Sequence, residues 1–493
     1  MAYILSIDQG TTGTTVSLVN SLGEIAFSAN QDFEQIYPQP GWVEHKPSDI
    51  WGTVESCTKE VLVKSRIPTS EIKGIGITNQ RETVIVWDRK TSQPVYNAIV
   101  WQCRRTTEFC KKLIKYKTKI KSKTGLVIDP YFSASKIRWI IDNNNSLKPK
   151  IKKKELAAGT IDTFLIWNLS GGKAHVTDAS NASRTQLMNI RQGKWDKDLL
   201  KIFGVDASLL PDIRESSGIL AHTKGLGFLP DGIPVSGVAG DQQAALFGQV
   251  CFGIGEAKCT FGTGSFMLMN TGNKMVLSKS GLLTTVAWKL GKNLTYALEG
   301  SVFVCGASVQ WLRDNLKFIE KSSEVEELAK QVDDTGGVEF VPALTGLGAP
   351  YWDPEARGLI CGLTRGTTRA HIARATLEAM ALQNSDVLIA MQKDLKKKLK
   401  KLKVDGGAAE NNLLMQIQSD YLNVETIRPS NVETTSLGAA YLAGLGVGLW
   451  KDMEEIQQIW KEDKKFTPKI KDKDRKERFK KWHRAISRTI ERT

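Results

Sequence analysis

Tyr3-Ile4-Leu5-Ser6-Ile7-Asp8-Gln9-Gly10-Thr11-Thr12-Gly13-Thr14-Thr15 opens the chain with an apolar run short enough for one buried strand. The run ends in an aspartate and turns through two glycines among four threonines. A strand that delivers a carboxylate into such a turn can hold a metal-bound phosphate, because glycine lets the backbone come close while hydroxyls and amides donate to oxygen. A plain β-hairpin accounts for the same residues equally well, since Gly and Thr are common in turns and strands.

Working outward, Gly262-Thr263-Gly264-Ser265 repeats the pattern after the strand-like run Glu256 to Phe261, and Thr263 lies 252 residues beyond Thr11. A separation near half the chain predicts a duplicated architecture with one phosphate loop in each half. A third turn, Asp405-Gly406-Gly407-Ala408, follows a strand-like run and precedes an expected helix from Asn411 to Tyr421. Gly-Gly at that junction leaves room for a flat ligand or phosphate at a helix N-terminus. Together the three loops predict a nucleotide cleft between domains 1–250 and 251–493. No GxxxxGK[ST] occurs, so the cleft is not of the Walker type, and the HRD and DFG segments of protein kinases are also missing.

Between the loops, strands are expected at Tyr3 to Ile7, Thr14 to Val19, Gly74 to Thr78 and Val84 to Trp87. Helices are expected over Pro47 to Val63 and over Ser133 to Asp142, the latter with Ser133 as N-cap. This mixture predicts an α/β layered protein. The chain has 493 residues, 41% of them hydrophobic, and no apolar run of membrane-spanning length. Its N-terminus lacks a basic region before the short apolar run, so no secretory signal is expected. Seven scattered cysteines without a CxxC pair and only five histidines point to reduced thiols, a cytoplasmic protein and no zinc site.

The formal net charge is +15, and residues 461–493 carry 14 Lys/Arg against 6 Asp/Glu. Phe479, Trp482, Ile486 and Ile490 recur at helical spacing in that tail, which predicts a docked amphipathic helix with a basic outer face rather than a nucleic-acid-binding arm. No nucleic-acid partner and no stable membrane insertion are therefore expected.

Chemistry-bearing residues cluster at the expected strand ends. Arg81–Glu82 is either a surface ion pair or a donor and acceptor for a polyol, whose hydroxyls need both. Trp101 and Tyr131 are aromatics with polar handles, or plain core residues. Asp241, in a Gly-rich turn before Gln242-Gln243, is either a helix N-cap or a base that takes the proton of an attacking hydroxyl.

The segment Tyr131-Phe132-Ser133-Ala134-Ser135-Lys136-Ile137-Arg138-Trp139-Ile140-Ile141-Asp142-Asn143 resembles one signature of the FGGY carbohydrate-kinase family. Gly358-Leu359-Ile360-Cys361-Gly362-Leu363, with His371-Ile372 and Ala375-Thr376-Leu377-Glu378, resembles the other. Gly41 to His45, Asn79 to Glu82, Trp101 to Arg105, Asn181 to Thr185 and Gly346 to Pro354 are similar to the members that phosphorylate glycerol, and the likeness runs from Tyr3 to about Trp450.

That resemblance implies two actin-like ATPase (ribonuclease H-like) domains around an interdomain nucleotide and substrate cleft. The implied activity is ATP-dependent conversion of glycerol to sn-glycerol 3-phosphate and ADP, as in glycerol catabolism. Arg81, Glu82, Tyr131, Asp241 and Gln242 would bond the glycerol hydroxyls, Trp101 and Phe266 would pack on its carbons, and Asp241 would be the base. Thr11, Thr12 and Gly13 would meet the nucleotide phosphates from one side and Thr263 from the other. Gly306, Gln310, Gly407 and Asn411 would line the ADP site. Asp8 would hold Mg²⁺ through water, with Asp241, and a homodimer or homotetramer is implied. The competing readings are a kinase for another polyol or sugar, and an actin- or chaperone-like ATPase that hydrolyses ATP without an acceptor.

The chain also departs from the family. The loop from His222 to Gly232 lacks the Gly-Thr-Arg pattern that some members use for fructose 1,6-bisphosphate, and Gly227 stands where others carry a phosphorylated histidine. Thr15 stands where many members carry an arginine that would touch the nucleotide phosphates. Thr15→Arg is accordingly expected to lower the KM for ATP modestly in steady-state kinetics, and an unchanged KM would remove that contact.

Overall fold

A computed structural model describes residues 2–490. The opening run forms the strand Tyr3–Gln9, in which Ile4, Leu5 and Ile7 are fully buried. Such a run, apolar toward both faces, belongs in the middle of a covered sheet. Gly13–Asn20 folds back antiparallel on it, and Ile25–Asp32 on that strand in turn. On its other side lie Ile72–Asn79 and then Pro234–Gly240, parallel to it and to each other, with Ser217–His222 antiparallel beyond them.

The second half repeats this order. Ala257–Phe261 pairs antiparallel with Ser265–Gly272, which pairs with Asn293–Val302. Lys401–Asp405 and then Glu425–Pro429 add in parallel on its other side. The two blocks join into one hydrogen-bonded sheet of thirteen strands. The join is narrow: Ser217–His222 meets Leu283–Leu290 only at the Ser217–Leu290 pair.

The helix Pro47–Ser65 covers one face of the first block with Ile50, Val54, Cys57 and Val61. Its opposite face receives Thr434–Gly446, a helix from the far end of the sequence, through Leu437, Ala440 and Leu442. In return the first-half helix Asp241–Gly248 shares a core with Leu268, Ala287 and Ala297 of the second block. The two exchanged helices cross at small residues. A Cβ on Gly438 would overlap the Ala244 carbonyl oxygen, and one on Gly76 would overlap that of Ala439.

Strands Glu44–His45, Ala98–Ile99, Val84–Asp88 and Leu156–Thr160 build a separate small sheet, whose surroundings carry Trp101 and Tyr131. The helix Ser133–Asp142 has the expected bounds but a different cap. Phe132 occupies the N-cap position, and the Ser133 hydroxyl donates instead to the Glu82 carbonyl at 3.2 Å, a long-range contact that outcompetes the local one. The basic tail forms the helix Asp472–Ile490. It buries Trp482, Ala485 and Ile486 in the second core and keeps Lys473, Lys476, Lys480 and Lys481 in water. Arg478 anchors it through Glu339 at 2.6 Å and Glu378 at 2.7 Å. Among the described residues no helix is long and apolar enough to cross a membrane.

Because the crossing helices leave no room at Gly438, Gly438→Ala should cost about 1–3 kcal/mol of stability, since an added methyl forces backbone shifts. Chemical denaturation would read this as a lower midpoint, and an unchanged midpoint would show that the helices part freely.

Candidate active site

Register brings the three active-site strand ends of the first half together. Asp8 pairs with Thr78, Gln9 with Asn79, and Asn79 with Gly240. The opening turn, the Gln80–Glu82 segment and Asp241 therefore leave the sheet side by side at its carboxyl edge, where open α/β sheets place their ligands.

The opening turn is a hairpin in form, and side chains from elsewhere hold its tip. Gly10 donates to the Gly13 carbonyl at 2.8 Å, and Gln80 Nε2 and Gln35 Nε2 each reach a loop carbonyl at 3.0 Å. The Trp101 indole donates to Thr11 Oγ1 at 2.9 Å. The amides of Thr11 and Thr12 donate to no protein atom among the described residues, and successive free N–H groups in a turn suit a phosphate. Across the cleft, the Thr263 carbonyl accepts from Cys305 at 2.9 Å and Ala307 at 3.0 Å, leaving Thr263 itself exposed.

Below the turn lies a buried lattice of charges. Arg81 donates to Glu299 through both terminal nitrogens, at 2.6 and 3.0 Å. Arg184 donates to Glu82 at 2.6 Å and to Glu299 at 2.9 Å. All four side chains are at most 2% exposed. Glu299 comes from the strand Asn293–Val302 and the others from the first half, so the lattice spans both blocks. Glu82 holds a left-handed backbone at φ 61°, a conformation that costs a non-glycine residue energy and is often found at functional sites.

Asp241 sits on the rim of this lattice. It is the first residue of its helix, with Gly240 as the cap, so it occupies neither the N-cap position nor a loop. Its Oδ1 pairs with Arg81 Nε at 3.1 Å and accepts from the Gln242 amide at 2.7 Å, whereas Oδ2 has no protein donor among the described residues. Burial raises its pKa, and the Arg81 guanidinium opposes the rise. Burial, Asp241 and Glu433 together push Asp8 up to about 7, against a 3.4 Å hydrogen bond from Ser436. A set of mutually repelling carboxylates fits a divalent cation. Among the described residues no cluster of three His, Cys, Asp or Glu could ligate one directly.

The other expected residues fall around these groups. Tyr131 accepts from Arg81 Nη2 at 3.4 Å and meets Trp101 edge-on at 5.5 Å. That long bond is the one Arg81 contact a ligand hydroxyl could readily replace, because its remaining N–H groups serve Glu299, Gln243 and Asp241. Phe266 pairs with Ser301 and Leu268 with Glu299, so Phe266 shares a sheet face with Glu299. Gly306 opens the helix Gly306–Asp314 against the Gly262 carbonyl, and Gln310 stands exposed one turn on. Gly407 is exposed, with nothing within 4 Å of a Cβ built on it, so protein packing does not require glycine there and the space is open to a ligand. Asn411 caps the helix Asn412–Leu422 by accepting from Leu414 at 2.8 Å.

Sequence reasoning passed over Glu299, Arg184 and Lys258. The available signal was a charged residue inside an otherwise buried strand for Glu299 and Lys258. Arg184 stood within the Asn181 to Thr185 segment with no role attached to it.

A doubled α/β architecture, with a Gly-Thr turn at a strand end in each half and a carboxylate beside a buried charged lattice, defines a two-domain kinase of the actin-like ATPase type. The chain belongs to the FGGY family of carbohydrate kinases, whose N-terminal domain matches residues 3–248 and whose C-terminal domain matches residues 257–447. It is 59% identical over 490 residues to a glycerol kinase of Bdellovibrio bacteriovorus, covering 99% of each chain. It is 54% identical to one of Bacillus subtilis, covering 98% of each. In structure it is similar to the Plasmodium falciparum glycerol kinase with ADP, at a TM-score of 0.94 and 40% identity over 100% of this chain and 99% of that one. A xylulose kinase from Lactobacillus acidophilus shares the fold at a TM-score of 0.87 and 23% identity, over 99% and 97% of the two chains.

A carboxylate whose pKa is raised on folding favours the folded state only while protonated. The Asp8 contribution is therefore present below about pH 4 and lost as pH rises toward 7. Asp8→Asn should raise the Tm of the metal-free protein at pH 8 and leave it nearly unchanged at pH 4, while turnover is lost. Equal Tm values at pH 8 in thermal melts would show that Asp8 carries no electrostatic strain.

Proposed function

We propose that the chain transfers the γ-phosphoryl group of ATP to glycerol, giving sn-glycerol 3-phosphate and ADP. The observation that carries the transfer chemistry is Asp241. One of its carboxylate oxygens is held by Arg81 and the other is free, at the junction of the polyol-facing residues and the phosphate turns. The choice of glycerol rests on the full-length likeness to glycerol kinases.

In this reading Glu82, whose Oε2 has no protein donor among the described residues, and the Tyr131 hydroxyl accept and donate to the outer hydroxyls of the acceptor. Arg81 exchanges its long Tyr131 contact for a substrate oxygen, and Gln242 donates beside Asp241. Trp101 and Phe266 close on the carbon chain. Asp241 Oδ2 takes the proton of the attacking hydroxyl as the bond to phosphorus forms. The amides and hydroxyls of Thr11, Thr12 and Gly13, with Thr263 opposite, hold the phosphate oxygens as their charge redistributes. Gly306, Gln310, Gly407 and Asn411 bind the rest of the nucleotide. Asp8 and Asp241 would hold Mg²⁺, which when bound neutralises phosphate charge.

The domains 1–250 and 251–493 close over bound acceptor by rotating about the two exchanged helices, which keeps water from the phosphoryl group. A cytoplasmic homodimer or homotetramer is the proposed form of the enzyme.

The test is coupled ADP release with glycerol, dihydroxyacetone, xylulose and ribulose. Glycerol should give the highest kcat/KM; a ketose that equals or exceeds it overturns the substrate, and acceptor-independent hydrolysis at the same rate overturns the kinase. Asp241→Asn should lower kcat by at least ~10²-fold while calorimetry still detects glycerol binding. Retained turnover would remove Asp241 as base.

A further inference from the structure

Lys258 lies in the middle of the strand Ala257–Phe261, fully buried at 0% exposure. Lysine is almost never sealed from water unless a carboxylate pairs with it, because an unpaired buried charge is expensive. Among the described residues no carboxylate lies within 4 Å of its nitrogen, although Asp241 and Asp405 attract it from farther away and burial lowers its pKa. Its hydrogen bonds go to neutral groups, the Gln242 Oε1 and the Thr260 Oγ1, the latter at 2.7 Å. Lys258, Thr260, Phe266 and Glu299 all lie on one face of the second sheet, the face turned to the charged lattice.

An ammonium has three donors and no acceptor. Whichever way an amide side chain is drawn, its oxygen must face Lys258 and its NH₂ must face away. The Gln242 NH₂ donates to no protein atom among the described residues, while its own main-chain amide is spent on Asp241 Oδ1 at 2.7 Å. Both Gln242 side-chain donors are thus unspent on protein atoms, one residue along the helix from the carboxylate of Asp241. Had the amide turned over, the acceptor would meet a second carbonyl-type oxygen there and lose a donor.

We propose that Lys258 is a positioning residue that fixes the orientation of the Gln242 amide, so that its NH₂ donates to the acceptor hydroxyl adjoining the one that Asp241 deprotonates. This rests on the polyol-kinase reading above. Lys258 acts through Gln242 and sets acceptor affinity, not nucleotide affinity.

The test is a double-mutant cycle of Lys258→Met and Gln242→Leu, read in the full-length enzyme as acceptor KM, ATP KM and kcat, with glycerol calorimetry without nucleotide as a turnover-free readout. Lys258→Met should raise the acceptor KM about tenfold, the scale of one misdirected hydrogen bond, with ATP KM unchanged. The double variant should be no worse than Gln242→Leu alone, and Lys258→Arg, which keeps a cationic donor, should recover part of the loss. Effects that multiply, or a fall in kcat at unchanged acceptor KM, would overturn the proposal and place Lys258 on the reacting phosphoryl group. If Lys258→Met does not fold, Gln242→Glu serves in its place. Its carboxylate can still accept from Lys258 but offers no donor, so acceptor KM should rise similarly, and an unchanged KM overturns the proposal. Should the wild type prefer a ketose, the glycerol assignment fails while the same cycle run on that ketose still reads the coupling.

Discussion

Two arginines and two glutamates, Arg81, Arg184, Glu82 and Glu299, are buried together where the two halves of the molecule meet, and each neutralises the others. Taking four charges out of water is costly, and the cost is offset only when all four are in place, since removing one partner strands a buried charge. Glu299 arrives on a strand from the second half, so the lattice is neutral only when both sheets have formed and docked. The floor of the cleft is in this sense a by-product of the joining of the halves. Asp241 inherits its position from it, because the one Arg81 nitrogen pointing out of the lattice holds one oxygen of that carboxylate.

The same docking is reinforced by the exchange of helices. Asp241–Gly248 leaves the first sheet to pack under the second, and Thr434–Gly446 makes the reverse journey. Glycine and alanine at the crossing let the backbones approach almost to contact, so close packing ties the two sheets together. Both helices begin at the cleft, Asp241 at the start of one and Ser436 beside Asp8 in the first turn of the other. Asp241 thus heads one exchanged helix, and the first turn of the other reaches Asp8 at the end of its strand.

Much of this was legible locally. The strands around Asp8 and Thr263, the amphipathic tail and the helices Pro47–Ser65 and Ser133–Asp142 follow from the spacing of apolar residues, a property of the chain itself. Where sequence reasoning posed alternatives, the structure decided some of them: the opening turn is a hairpin, and Asp241 is not the N-cap of its helix but its first residue, after Gly240. Ser133 shows the limit of local rules: a hydroxyl placed to cap its own helix bonds the Glu82 carbonyl, because a buried acceptor elsewhere in the fold needs a donor.

By itself the sequence determined the doubled α/β plan, the glycine turns at the strand ends and the residue types along the cleft, since these depend on neighbours a few positions apart. Only the tertiary structure decided which charges share the interior. Arg81 and Glu299 lie 218 residues apart, and Arg184 and Glu82 lie 102 apart. Nothing in their immediate surroundings marks them as partners. Their pairing, the free oxygen of Asp241 and the direction of the Gln242 amide are set by contacts made only after the two sheets meet.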